Sequence, residues 1–222
     1  MSRFPYLGNM TKSFDFCIPT KTITVPDTPD WLHEIKYDGY RLRLERDGDR
    51  VRLITKGGYN WTSRYPWIVE TALKNRVKRF VIDGEAVVLG VDGVADFNAL
   101  HSRRHDDEVQ LYAFDILALD GDDLRSLPLS MRKTNLARLL ARRPDGIFVA
   151  PFEQGEIGPD LFRAACQMGL EGLVSKRCDR RYQAGQSKHW VKVKNRYHPA
   201  MSRVMSHSGD PWRVKHLPQS AN

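Results

Sequence analysis

Glu34-Ile35-Lys36-Tyr37-Asp38-Gly39-Tyr40-Arg41 places one lysine between two carboxylates, at the end of a short apolar strand that runs into a glycine. Lys-x-Asp-Gly fixes only three positions and arises by chance, and a strand ending in a solvated lysine beside a turn satisfies it equally well. The flanks say more. Residues 32–36 read as one short strand. Residues 40–46 alternate, with Leu42 and Leu44 on one face and Arg41, Arg43 and Glu45 on the other. Asp47-Gly48 then signals a hairpin into Val51 and Leu53. Lys36 thus ends one strand, Arg41 begins the next, and Gly39 is expected to allow a tight turn between them.

Residues 1–30 read as an irregular lead-in, since Pro19, Pro26 and Pro29 discourage regular structure. Beyond the hairpin, a polar loop at 55–63 precedes a helix. Tyr65, Ile68, Val69, Ala72 and Leu73 recur there at helical spacing, with Thr62 or Ser63 as the cap. Residues 79–89 form two strand halves around Asp83-Gly84-Glu85, and residues 109–118 a third apolar strand. Residues 130–142 predict a helix capped by Ser130, with Leu136, Leu139 and Leu140 inward, followed by a strand at 147–152. Pro159 opens another helix that Gly169 ends, and residues 171–177 and 188–194 are the last strands.

The chain has 222 residues, a net charge of +8 and 41% hydrophobic residues. That length buries a core without staples. The basic balance fits an anionic partner, nucleic acid first and a nucleotide second. Cys17, Cys166 and Cys178 are an odd count without a Cys-x-x-Cys pair, which argues against a disulfide framework or a zinc site and for reduced thiols in the cytoplasm. No apolar run approaches membrane-spanning length.

Nucleotidyl transfer to a lysine has definite requirements. The amine must be neutral to attack, which burial or cationic neighbours favour. The anionic transition state at the α-phosphate needs positive charge and a divalent metal. That metal needs few carboxylates, because magnesium keeps several waters. The base needs a flat apolar face. Lys36 is the candidate nucleophile. Lys192 and Lys194, two apart on a strand, share a face suited to an anion. Glu85 and Glu171 each flank a glycine and can reach a metal, and Phe114 can wall a base pocket. Taken singly, each has a plainer reading: a solvated strand face, surface carboxylates, a core phenylalanine.

Taken in order, they do not. Lys36-Tyr-Asp-Gly-Tyr-Arg41, Asp83-Gly-Glu85, Phe114-Asp-Ile-Leu117, Glu171-Gly-Leu-Val-Ser-Lys176 and Trp190-Val-Lys-Val-Lys194 resemble the nucleotidyltransferase motif series of ATP-dependent DNA ligases, over roughly residues 14–195. Thr62-Ser-Arg-Tyr-Pro66, Asp96-Phe-Asn-Ala-Leu100 and Tyr182-Gln-Ala-Gly-Gln-Ser187 resemble the bacterial members. The resemblance implies a mixed α/β (α+β), ATP-grasp-like adenylation domain with antiparallel sheets around a nucleotide cleft. It implies ATP and Mg2+ (or Mn2+) as cofactors, and nicked double-stranded DNA as partner. Lys36 would carry AMP as a phosphoramidate. Glu34, with Ile35 beside it, would meet the adenine amino group, and Phe114 would stack on the ring. Arg41 and Glu85 would lie near the ribose and the metal, Glu171 would help hold the metal, and Lys176, Lys192 and Lys194 would engage phosphates.

Two departures qualify the match. Where the family carries a Thr-Arg-x-Gly loop, this chain has Thr55-Lys56-Gly57-Gly58, and lysine lacks the bidentate fork of arginine. The family's C-terminal OB-fold needs about 25–30 residues in strands alone, and only 27 residues follow Asn195, without alternation. The expected organisation is therefore an adenylation domain at 1–195 with its lead-in and a tail at 196–222 without an OB-fold, a protein partner supplying that domain or an end-binding function. The sequence reading is a cytoplasmic, nucleoid-associated DNA ligase-type enzyme. The alternatives are a non-catalytic nucleic-acid or ligase-partner module of the same fold, and an RNA ligase or capping-type nucleotidyltransferase.

Overall fold

The stretch around Lys36 is two strands, as the sequence reading expects: β2 (Trp31–Ile35) and β3 (Tyr40–Asp47). They enter different sheets. In the computed structural model, which describes residues 14–141 and 145–201, β2 joins a five-stranded sheet and β3 a six-stranded one. Residues 36–39 are the crossing between them, so Lys36 sits where the two sheets meet.

The five-stranded sheet runs in the order β1 (Cys17–Lys21), β11 (Gly185–Lys194), β10 (Gly172–Arg177), β2 and β9 (Phe152–Gln154). β1 corrects the sequence reading of an irregular lead-in. Pro19 is tolerated because β1 is an edge strand, paired in parallel to β11 with a register shift between Pro19 and Thr20. The other sheet runs β4 (Arg50–Thr55), β3, β5 (Arg79–Val87), β6 (Gln110–Leu119) and β7 (Asp122–Asp123), with β8 (Ile147–Val149) parallel to β6. All other pairs are antiparallel. β5 is one strand, not two halves. Register shifts at Val81/Ile82 and Asp83/Gly84 bend it where the sequence suggested a break.

α1 (Pro66–Lys74), α2 (Phe97–Ser102), α3 (Leu129–Leu139) and α4 (Gly158–Gln167) complete the fold. Neither predicted cap is used. Tyr65 and Pro128 occupy the cap positions of α1 and α3 without side-chain bonds, and the Thr62 hydroxyl instead accepts from the Leu53 amide at 3.0 Å. The main core, with Leu42, Leu44, Ile68, Ile82, Leu111 and Leu136, lies between the six-stranded sheet and its helices. A second cluster of Cys17, Val81, Leu117, Tyr182 and Trp190 ties the two sheets together, with Phe114 packed on its side. Among the described residues, no helix is long and apolar enough to cross a membrane.

Gly39 meets a demand other than the expected turn. A Cβ there would lie 2.2 Å from the Ala86 carbonyl oxygen, so β5 passes too close for any side chain. Gly172, beside Glu171, combines φ +140° with a Cβ position 2.1 Å from the Val193 oxygen.

Candidate active site

Strand register assembles the site. Across the five-stranded sheet, Glu34 pairs with Val174 and Val174 with Lys192, giving one row on one face; Lys176 and Trp190 form the next row. Across the other sheet, Arg41 pairs with Glu85. The two faces enclose a cleft of about 460 Å³. Of the residues singled out from sequence, Glu34, Ile35, Lys36, Arg41, Glu85, Phe114, Lys176 and Lys192 line it, as do Lys56 and Trp190. Glu171 and Lys194 do not. Glu171 lines a smaller adjoining cavity together with Ile35 and Lys36.

Lys36 bridges the two cavities. Its Nζ donates to Glu171 Oε2 at 2.5 Å, while Lys194 Nζ lies 2.9 Å from Glu171 Oε1. Glu171 is thus held between two ammonium groups. Burial alone would raise its carboxyl; Lys36 and Lys194 more than reverse this, so it stays below the usual carboxylate range. Lys192, by contrast, is drawn down by burial and then by Lys36, Lys56 and Lys194, a concentration of positive charge that an anion would relieve.

Glu85 is the opposite case. Burial pushes its carboxyl from 4.5 up to about 7; Lys36 and Arg41 pull against this, and Glu171 and Asp83 add to it. Among the described residues it makes no ion pair. A half-buried carboxylate that opens into a cleft, without a cation of its own, fits a divalent-metal ligand. No group of three or more potential ligand side chains occurs among the described residues, but a metal that keeps its waters needs only one or two carboxylates.

Arg41 lines the cleft, and its guanidinium is also engaged in the cleft wall. Its guanidinium forks onto Asp83 at 2.9 and 2.6 Å and donates to the Cys17 carbonyl at 2.6 Å. Tyr182 Oη donates to the same Asp83 at 2.7 Å. Arg41 therefore fastens β1, β3 and β5 together at the cleft wall.

Glu34 and Lys176 are also engaged. Lys176 Nζ donates to Glu34 Oε2 at 2.5 Å and lies 4.0 Å from the Phe114 ring centroid and 4.2 Å from that of Trp190. Glu34 Oε1 accepts from Lys133 of α3. Burial alone would raise Glu34; the two lysines hold it ionised. Burial draws Lys176 down to about 8 against the pull of Glu34, so Lys176 is the member that titrates nearer neutrality. Lys133 escaped the sequence reading. Its signal was helical spacing: Leu129, Arg132, Lys133 and Leu136 fall at i, i+3, i+4 and i+7, and all four are buried.

A lysine at the junction of two sheets, an anion-seeking cluster beside it, and a carboxylate open to a cation describe a nucleotidyl-transfer site. The family model described as the ATP dependent DNA ligase domain matches residues 11–194. The chain belongs to that family. The multifunctional non-homologous end joining protein LigD of Pseudomonas aeruginosa is 34% identical over 192 residues, covering 84% of this chain and 23% of its own length. The SPbeta prophage-derived DNA ligase-like protein LigB of Bacillus subtilis is 30% identical over 171 residues, 75% of this chain and 62% of that one. A solved mycobacterial DNA ligase D complexed with ATP and MES superposes with a TM-score of 0.70 at 34% identity, covering 81% of this chain and 60% of the other. The chain thus spans about a quarter of the end-joining relative, and its mixed α+β fold is that of an ATP-dependent ligase adenylation domain.

Proposed function

We propose that this chain carries out self-adenylation and hands AMP to the 5′-phosphate of nicked duplex DNA. The observation that carries the reading is the placement of Lys36 at the crossing of the two sheets. There Lys36 lines the cleft, and its amine is held by Glu171 at 2.5 Å. The Lys36 ammonium first gives up a proton to solvent, and the neutral amine, still hydrogen-bonded to Glu171, attacks the α-phosphorus of ATP. A nitrogen–phosphorus bond forms, the bond to the β-phosphate bridging oxygen breaks, pyrophosphate leaves with the electron pair, and the attacking nitrogen releases one proton to solvent to become the phosphoramidate. Lys192 and Lys56 line the same cleft and offset the charge on the phosphates. Glu34 offers acceptors to the adenine amino group, and Phe114 its ring to the base. Glu85 and Glu171 would hold magnesium, whose chemistry there is to neutralise phosphate charge and orient the leaving group. The end-joining role of the LigD relative supports DNA ends as the setting, and the charge of +8 supports a polyanionic partner.

The test is incubation with α-labelled ATP and magnesium, followed by denaturing electrophoresis. Label should stay on the polypeptide through denaturation, be released by acid, as a phosphoramidate is, and be absent in EDTA. Transfer to a 5′-phosphorylated nick should discharge it. Equal labelling from GTP would move the reading to a capping-type enzyme, and no label from either nucleotide would defeat it.

A further inference from the structure

Lys133 is the group in this site that neither the motif series nor the cleft lining accounts for. It lies on α3, buried, and its ammonium reaches Glu34 Oε1. It also rests 4.8 Å from the centroid of Phe152 on the edge strand β9. It does not line the cleft, whereas Glu34 and Lys176 do. The two lysines therefore grip one carboxylate from different sides. Lys176 grips it from within the cleft, where its ammonium lies over the Phe114 ring. A base that takes that ring competes with Lys176 for it. Lys133 is outside this competition and keeps its hold whether or not the cleft is filled.

We infer that Lys133 is a positioning residue for purine choice: from behind the cleft wall it fixes the plane and charge of Glu34. Glu34 then presents only acceptors to the base edge. Each carboxylate oxygen has lone pairs left after one ammonium bond. An exocyclic amine, as on adenine, finds a partner there. A carbonyl at the same position, as on guanine, meets an acceptor. A site built to receive a hydrogen bond rejects the analogue that cannot give one far more strongly than an apolar pocket does. Without Lys133, Glu34 answers to Lys176 alone and turns with it when a base arrives.

The inference rests on the nucleotide reading of the cleft, so its test uses equilibrium binding in EDTA, where no label forms. ATP and GTP dissociation constants would be measured for the wild type, K133M, K133Q and K133R, with thermal midpoints alongside. The expected result is a loss of about tenfold in ATP affinity for K133M and K133Q, the range for a bond to a charged group, with GTP changed less than about threefold. K133R keeps charge and donor and should restore discrimination. K133Q carries the test should K133M fail to fold. Equal weakening of both nucleotides, or an unchanged ATP-to-GTP ratio in the two neutral variants, would overturn the inference, since a purely structural role lowers stability without changing base preference. Absence of covalent label alongside intact, Lys133-dependent ATP preference would instead strike the transfer reading and leave this one standing.

Discussion

At Glu85 the chain keeps a carboxylate where burial disfavours its charge. Its folded value of about 7 stands above the ordinary 4.5. Between those values the folded protein holds a proton that the unfolded chain has released, so stability falls as pH rises through that window. E85Q should therefore raise the melting temperature at pH 8 and scarcely at pH 5, as a calorimetric scan at each pH would show. The same proton competes with a cation. The magnesium needed for half-maximal labelling should rise as pH drops through 7, and a metal titration at pH 6 and pH 8 with equal requirements would contradict that assignment. Arg41 calls for a different expectation. It is one of the family's motif residues, yet here it neutralises Asp83, which is fully buried. R41A should cost about 3–5 kcal/mol by stranding that charge, measurable by urea unfolding. Higher magnesium should not recover the loss.

Among the elements, the crossing between β2 and β3 decides most. Its two strands were legible, the second from its alternation and the first as a short apolar run, and Lys36 from its place at the end of the first. That the strands separate into different sheets was not legible, because β2 pairs with β10, far along the chain. The reason for Gly39 was misread for a related cause: the atom that excludes a side chain, the Ala86 carbonyl, belongs to a strand distant in sequence. G39A must push β5 away from the crossing. It should lower stability by about 2 kcal/mol or more, in the range for overpacking or backbone displacement, and slow labelling with it. Wild-type stability for G39A in a denaturant titration would show that the close approach is relaxed in solution. The edge strand β1 was hidden by Pro19, which the reading weighed as a breaker without knowing that it falls at an edge. Lys133 was hidden by distance, since its partner Glu34 lies 99 positions away, and only the helical spacing of α3 hinted that a lysine would be buried.

At the scale of the whole molecule, two sheets face each other across one cleft. Each half carries what the other lacks: Lys36, Glu171 and Lys192 on one side, Arg41, Glu85 and Phe114 on the other. The motif order made this set legible as a group before any strand was placed, because five ordered motifs constrain one another as single residues do not. Of the tail's basic residues Arg196, Arg203, Arg213 and Lys215, which the sequence suggests as DNA contacts, Arg196 is exposed and the other three lie outside the described residues. The net charge of +8 bears on the proposed polyanionic partner. Binding of nicked duplex should fall steeply between low and physiological salt as counterion release loses its drive, whereas self-adenylation, which needs no DNA, should change far less; a fluorescence-anisotropy titration run beside the labelling assay would compare them. The central claim is that Lys36 carries the nucleotide, and its most direct test is covalent labelling of K36A and K36R with α-labelled ATP and magnesium, with peptide mapping of the labelled wild type. The account predicts label on the peptide containing Lys36, and none on either variant although each still folds cooperatively in a thermal scan, since alanine has no amine and guanidinium stays protonated. Label at the wild-type rate on K36A, or a modified peptide elsewhere in the chain, would contradict it.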